Sequence, residues 1–164
     1  GGWPEMDDKA LREGLAAWLG PYFAGITRLA QIDENLLQAA LSATLPAGGR
    51  QRLDRALPTH FPAPGGSRVA IDYAQDPPVL AVKLQELFGV RETPRLADGR
   101  LPLVVHLLSP AGRPLAITAD LSSFWQQAYP EVRKQMRGRY PRHPWPDDPL
   151  NALPSARVKP RVSP

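Results

Sequence analysis

Residues 68–89 read RVAIDYAQDPPVLAVKLQELFG, and here the apolar residues change their period along the chain. In RVAIDYA (68–74), Val69, Ile71 and Tyr73 alternate with Arg68, Ala70 and Asp72, the two-residue period of a half-buried strand. Gly65-Gly66 just before it suits a turn back from a short strand at THF (59–61). Asp76-Pro77-Pro78 then reads as a helix start: an acidic cap, followed by prolines in a first turn where no N–H is missed. Leu80, Leu84, Leu87 and Phe88 stripe this predicted helix, and Gly89 ends it.

Downstream, Asp98-Gly99 is a hairpin signal between a short PRLA strand (94–97) and LPLVVHLLS (101–109). SPAGR (109–113) makes the next turn, and PLAIT (114–118) completes a predicted antiparallel set. Asp120 caps a last helix with Leu121, Phe124, Trp125 and Ala128 on one side. Pro130 cannot continue that helix without losing a backbone hydrogen bond, which predicts a break and a new helix over 131–137, ended by Gly138. Upstream, residues 7–57 read as helical. Asp7 and Asp8 cap a stripe of Leu11, Leu15, Trp18 and Leu19 that stops at Gly20-Pro21. Asp33 opens a second helix with Leu37, Ala40, Leu41 and Leu45, and a third carries Leu53, Ala56 and Leu57 before Pro58. The expected fold is α+β. It has a helical subdomain over 1–58, then a small antiparallel sheet packed by covering helices over 59–140. An extended Pro-rich basic tail follows over 141–164, read as surface-hugging, polyproline-like chain.

Composition narrows the classes of function. The 164 residues include no cysteine, which excludes disulfides, thiolate nucleophiles and Cys-ligated zinc, and favours a reducing, cytoplasmic setting. No apolar run approaches the ~20 residues of a membrane span. The opening Gly-Gly-Trp, without Met, predicts a fragment of a longer chain. The net charge of +4 is concentrated at one end. Residues 1–119 balance 12 Lys and Arg against 12 Asp and Glu, whereas residues 120–164 hold 8 against 4. Such asymmetry points to an anionic partner for the C-terminal end, although a basic tail kept for solubility explains it equally.

No catalytic device is visible. His60, His106 and His143 have no second histidine or carboxylate at metal-ligand spacing. His106, within LVVHLL, reads as a core histidine of a strand that is apolar on both faces. No GxSxG turn marks a nucleophile, and PAGGRQR and PAPGGSR lack the GxxxxGK[ST] frame that cradles phosphates. The expectation is a non-enzymatic region with no catalytic residue, metal or cofactor of its own.

The candidate chemistry lies in EVRKQMRGRYPRHPWPDDP (131–149). On a helix, Arg133, Lys134 and Arg137 share one ~100° arc, while Val132 and Met136 point towards the core. Arg139 and Arg142 extend the positive strip beside Tyr140. Guanidinium forks donate bidentately to phosphate, and an aromatic ring stacks on an unpaired base. The candidate nucleic-acid-binding set is therefore Arg133, Lys134, Arg137, Arg139, Tyr140, Arg142, His143 and Trp145. Tyr140 and Trp145 serve equally well as anchors for a tail strapped onto its own domain.

Three segments carry a resemblance: PTHFPAPGGSRVAIDYAQDPPVLAVKLQELFG, RLPLVVHLLSPAGRPLAITADLSSFW and YPEVRKQMRGRYPRHPWPDDP. Together they closely resemble the C-terminal region of the HrpB family of bacterial DEAH-box helicases, from about Trp3 to Leu150. The resemblance implies a fragment downstream of two RecA-like motor domains, a winged-helix and helical-bundle region and an OB-fold, in an ATP-dependent RNA helicase. ATP and Mg would be held by those absent motor domains. No Walker A lysine, DEAH box or arginine finger stands in this chain. The implied partners are RNA and the motor domains of the same chain, with no membrane. The alternative is an interaction or structural module whose basic strip pairs with acidic groups of the motor or of another protein.

Overall fold

The computed structural model describes residues 3–156, and the chain divides into two compact units, Gly1–Arg55 and Ala56–Pro164. The first unit is helical. Helix α1 (Asp8–Glu13) is capped by Asp7, whose carboxylate accepts from the Ala10 N–H at 2.7 Å. The expected continuous helix is broken at Gly14, so Leu15–Trp18 forms a separate turn, α2, followed by a 3₁₀ turn at Gly20–Phe23. The Trp18 indole N–H donates to the Leu11 carbonyl across that break, at 2.9 Å. Asp33 caps α3 (Glu34–Ala43) through the Leu36 N–H, and α4 spans Gly49–Ala56. Asp7 and Asp33 thus satisfy amides that a helix start leaves without partners.

The second unit is built on five strands in spatial order β1 (His60–Pro62), β2 (Arg68–Asp72), β3 (Val79–Lys83), β4 (Val104–Leu108), β5 (Pro114–Thr118). The α+β class holds, but the sheet is mixed: β3 and β4 run parallel and the other pairs antiparallel. This corrects the reading of 76–89 as a helix. Leu80, Val82 and Leu84 are buried at alternate positions, and Leu84–Leu87 closes into a 3₁₀ turn with every side chain buried. Val79 and Val82 are β-branched and pack well on a pleated surface, and β4 supplies the ladder beside them. A parallel pair needs a long crossover. Residues 84–103 provide it, with the predicted PRLA hairpin reduced to a single bridge between Leu96 and Leu101.

One face of the sheet carries the core. Leu80, Val82, Val105 and Leu107 meet Leu84, Leu87 and an aromatic cluster of Phe88, Phe124, Trp125 and Tyr129, whose ring centroids lie 5.2–6.4 Å apart in tilted or edge-on pairs. The Trp125 indole N–H is satisfied by the Val90 carbonyl at 2.7 Å. Close packing also explains Gly65: a Cβ there would lie 2.9 Å from Glu86 Cγ. His106 is not a core residue. It is half-buried on the sheet's other face, where it lines a cleft with Asp72, Gln75 and Asp76.

The last helical run starts at Asp120, whose carboxylate accepts from the Ser123 N–H. It passes from α5 (Leu121–Ser123) through a π turn (Phe124–Ala128) into α6 (Tyr129–Arg139). Pro130 does not end the run as expected. The preceding turn widens so that the Tyr129 N–H reaches the Phe124 carbonyl, and the proline falls in the first turn of α6. The helix continues through Gly138 to Arg139. The described part of the tail, 141–156, folds back as an irregular strap in which Trp145 and Pro149 are buried. Arg157, Lys159 and Arg161 lie outside the described residues.

Candidate nucleic-acid interface

Helix α6 presents two faces, as its periodicity demands. Met136 is buried and Val132 packs partly against the core, while Lys134, Arg137 and Arg139 are exposed. Arg142 is exposed just beyond the helix. Among the described residues, none of these four cations has a carboxylate within ion-pair distance.

Arg133 differs. Its side chain is 21% exposed, its Nε donates to the Trp145 carbonyl at 2.9 Å, and its terminal nitrogen pairs with the Asp147 carboxylate. Two of the three guanidinium nitrogens are thus committed to the strap. Trp145 is likewise an anchor: it is 8% exposed and belongs to the core, and its indole N–H donates to the Tyr140 carbonyl at 3.0 Å. A buried ring offers no face to a base. Arg133 and Trp145 therefore take structural parts in fastening the strap.

The strap is fastened at several further points. The Tyr129 hydroxyl donates to the Pro146 carbonyl at 2.8 Å, and burial pushes that phenol's pKa well above its ordinary value, with Arg133 opposing and Asp147 adding. The Gly89 N–H donates to the Pro149 carbonyl, and the Ser155 N–H to the Gln85 carbonyl, each at 3.0 Å. Asp148 accepts from the Asn151 amide side chain and from the Leu150 and Asn151 backbone N–H groups. These bonds, the side-chain one first, hold its carboxyl below the usual range.

Strap and helix enclose an open cleft of ≈ 330 Å³, lined by Arg133, Arg137, Pro141, His143 and Trp145. Tyr140 stands half-buried beside it. Its hydroxyl lies 3.5 Å from the Ser109 hydroxyl, the Arg139 guanidinium sits 5.9 Å over its ring, and His143 meets it edge-on at 6.1 Å. An arginine on an aromatic face pre-positions its fork for an anion. The structure adds one cation that linear reading missed: Lys83, at the end of β3, is near enough to disfavour a charge on His143.

Burial first, then Lys83, lowers the His143 pKa from the ordinary 6.5. The imidazole therefore carries less positive charge near neutrality than an ordinary histidine does. Between the lowered value and 6.5 the unfolded chain binds more protons than the folded one, so this group's contribution to stability falls as pH drops below about 6.5. An NMR titration of the His143 ring is expected to show a midpoint below 6.5; a midpoint above it would contradict the described packing.

Comparison with known proteins gives this fold its class, the C-terminal region of ATP-dependent helicases. Residues 18–149 match the family described as "HrpB_C: ATP-dependent helicase C-terminal", and the chain belongs to that family. It is 51% identical over 158 residues to the ATP-dependent RNA helicase HrpB of Escherichia coli K12, matching 96% of this chain and 20% of that protein. Two crystal structures are also similar. The E. coli DExH-box NTPase HrpB matches with a TM-score of 0.86 at 51% identity, covering 96% of this chain and 20% of that one. The E. coli DEAH/RHA helicase HrpB matches with a TM-score of 0.69 at 48% identity, covering 88% and 18%. The chain thus spans about a fifth of the length of these relatives. Among the described residues, no helix is long and apolar enough to cross a membrane.

Proposed function

We propose that this region is a non-catalytic accessory platform of an ATP-dependent RNA helicase. It docks on the motor domains and guides single-stranded RNA along the strip Lys134, Arg137, Arg139 and Arg142. On this reading the cations neutralise phosphates, Tyr140 stacks on a base at the edge of the cleft, and His143 lines it as a neutral hydrogen-bonding group. ATP and Mg belong to the motor domains, and the work is done in the cytoplasm. One observation carries the proposal: Asp147 is spent on Arg133, and the four exposed cations beyond it have no carboxylate partner among the described residues.

The test is a titration of the 164-residue chain with single-stranded RNA at several salt concentrations. Four phosphate contacts, at ~0.7 per contact on single strands, give log K falling with log salt at a slope of about −2.8. Absence of binding at low salt overturns the RNA reading. The interaction-module alternative would then stand, with the same cations facing carboxylates of the motor.

A further inference from the structure

The two units differ in how much core they own. All members of the main hydrophobic cluster lie between Ala63 and Trp145. Among the described residues of the helical unit, the only buried hydrophobic side chains are Leu19 and Ala40. Its helices are also short, from four to ten residues. Helices of that length are marginal alone, and in proteins they draw most of their stability from packing an apolar face. Here much of that face is unpaired. Leu29 is 86% exposed, and Leu15 and Phe23 are exposed within the same segment. Ala17, Trp18, Pro21, Tyr22, Ala40 and Ala43 line an open, mainly apolar cleft of ≈ 420 Å³. Exposed apolar surface concentrated on one small unit marks an interaction site.

We infer that the helical unit is the docking face of this region, and that its apolar segment 15–29 and cleft are covered by the preceding part of the same helicase chain. The occupant follows from length and place: the region matches a C-terminal family and makes up about 20% of its relatives, so four-fifths of such a chain lies upstream of it. Covering the face supplies the core that the unit lacks. The inference rests on the accessory-platform reading and names the surface that performs its docking half.

Hydrogen–deuterium exchange tests it in the full-length helicase and in the 164-residue chain, both at low micromolar concentration. Amides of residues 15–45 are expected to exchange at least about tenfold more slowly in the full-length protein. The double substitution Phe23→Asp with Leu29→Asp should abolish that slowing while β3 and β4 keep their protection, which shows the variant is folded. Equal rates in the two chains overturn the inference together with docking through this unit. Slowing that survives the double substitution, or that tracks protein concentration as a second copy would, overturns the inference alone. The RNA reading is judged separately, by the salt slope of the variant, which should equal that of the unaltered chain.

Discussion

Trp145→Ala is expected to destabilise the sheet unit by about 3–5 kcal/mol, the range for truncating a buried aromatic side chain. Three losses coincide at this position. The ring leaves the core cluster, the Tyr140 carbonyl loses its indole donor, and the backbone carbonyl that Arg133 grips is no longer held by an anchored side chain. Chemical denaturation followed by circular dichroism measures the effect as a lower midpoint with an unchanged slope. A stacking platform predicts something different: removing a solvent-facing ring should shift stability by no more than about 0.5 kcal/mol and appear only in RNA affinity. The two outcomes differ by several kcal/mol, and one melt separates them.

The second large effect is on binding. Replacing Lys134, Arg137, Arg139 and Arg142 together by glutamine is expected to flatten the salt dependence almost completely. With four contacts, raising salt from 50 to 200 mM weakens binding by about 50-fold in the unaltered chain. Without them the same change should have almost no effect. The four side chains are exposed and hold no carboxylate among the described residues, so fold stability should be nearly unchanged. Arg133→Gln should behave in the opposite way. It leaves the Trp145 carbonyl and Asp147 without their partner, lowers stability, and leaves the salt slope near −2.8.

The strand β2 was legible because it alternates inward and outward residues, β1, β4 and β5 because turn signals bound short strand-like runs, and the Asp7, Asp33 and Asp120 caps because capping is local chemistry. The segment 76–89 misled for a specific reason. Leu80, Leu84, Leu87 and Phe88 fit a helical stripe, while Leu80, Val82 and Leu84 fit a strand equally well. What decided between them was β4, some twenty residues further on, and no local signal announces a parallel partner. The site divides along the same line. That Arg137, Arg139 and Arg142 face outward follows from helix geometry and composition. That Arg133 turns away from them depends on Trp145 and Asp147, twelve and fourteen residues downstream, brought back by the strap. Lys83 reaches His143 from the end of a strand remote in sequence, so proximity to it could not be read along the chain.

Arg133 and Arg137 lie one helical turn apart, yet Arg133 clasps the strap while Arg137 is exposed and, on the proposed reading, meets phosphate. The salt slope of RNA binding for Arg133→Gln beside that for Arg137→Gln measures this directly. The slope should stay near −2.8 for the first and become shallower by about 0.7 for the second. A loss at Arg133 as large as that at Arg137, or no loss at either, would contradict the division of the strip.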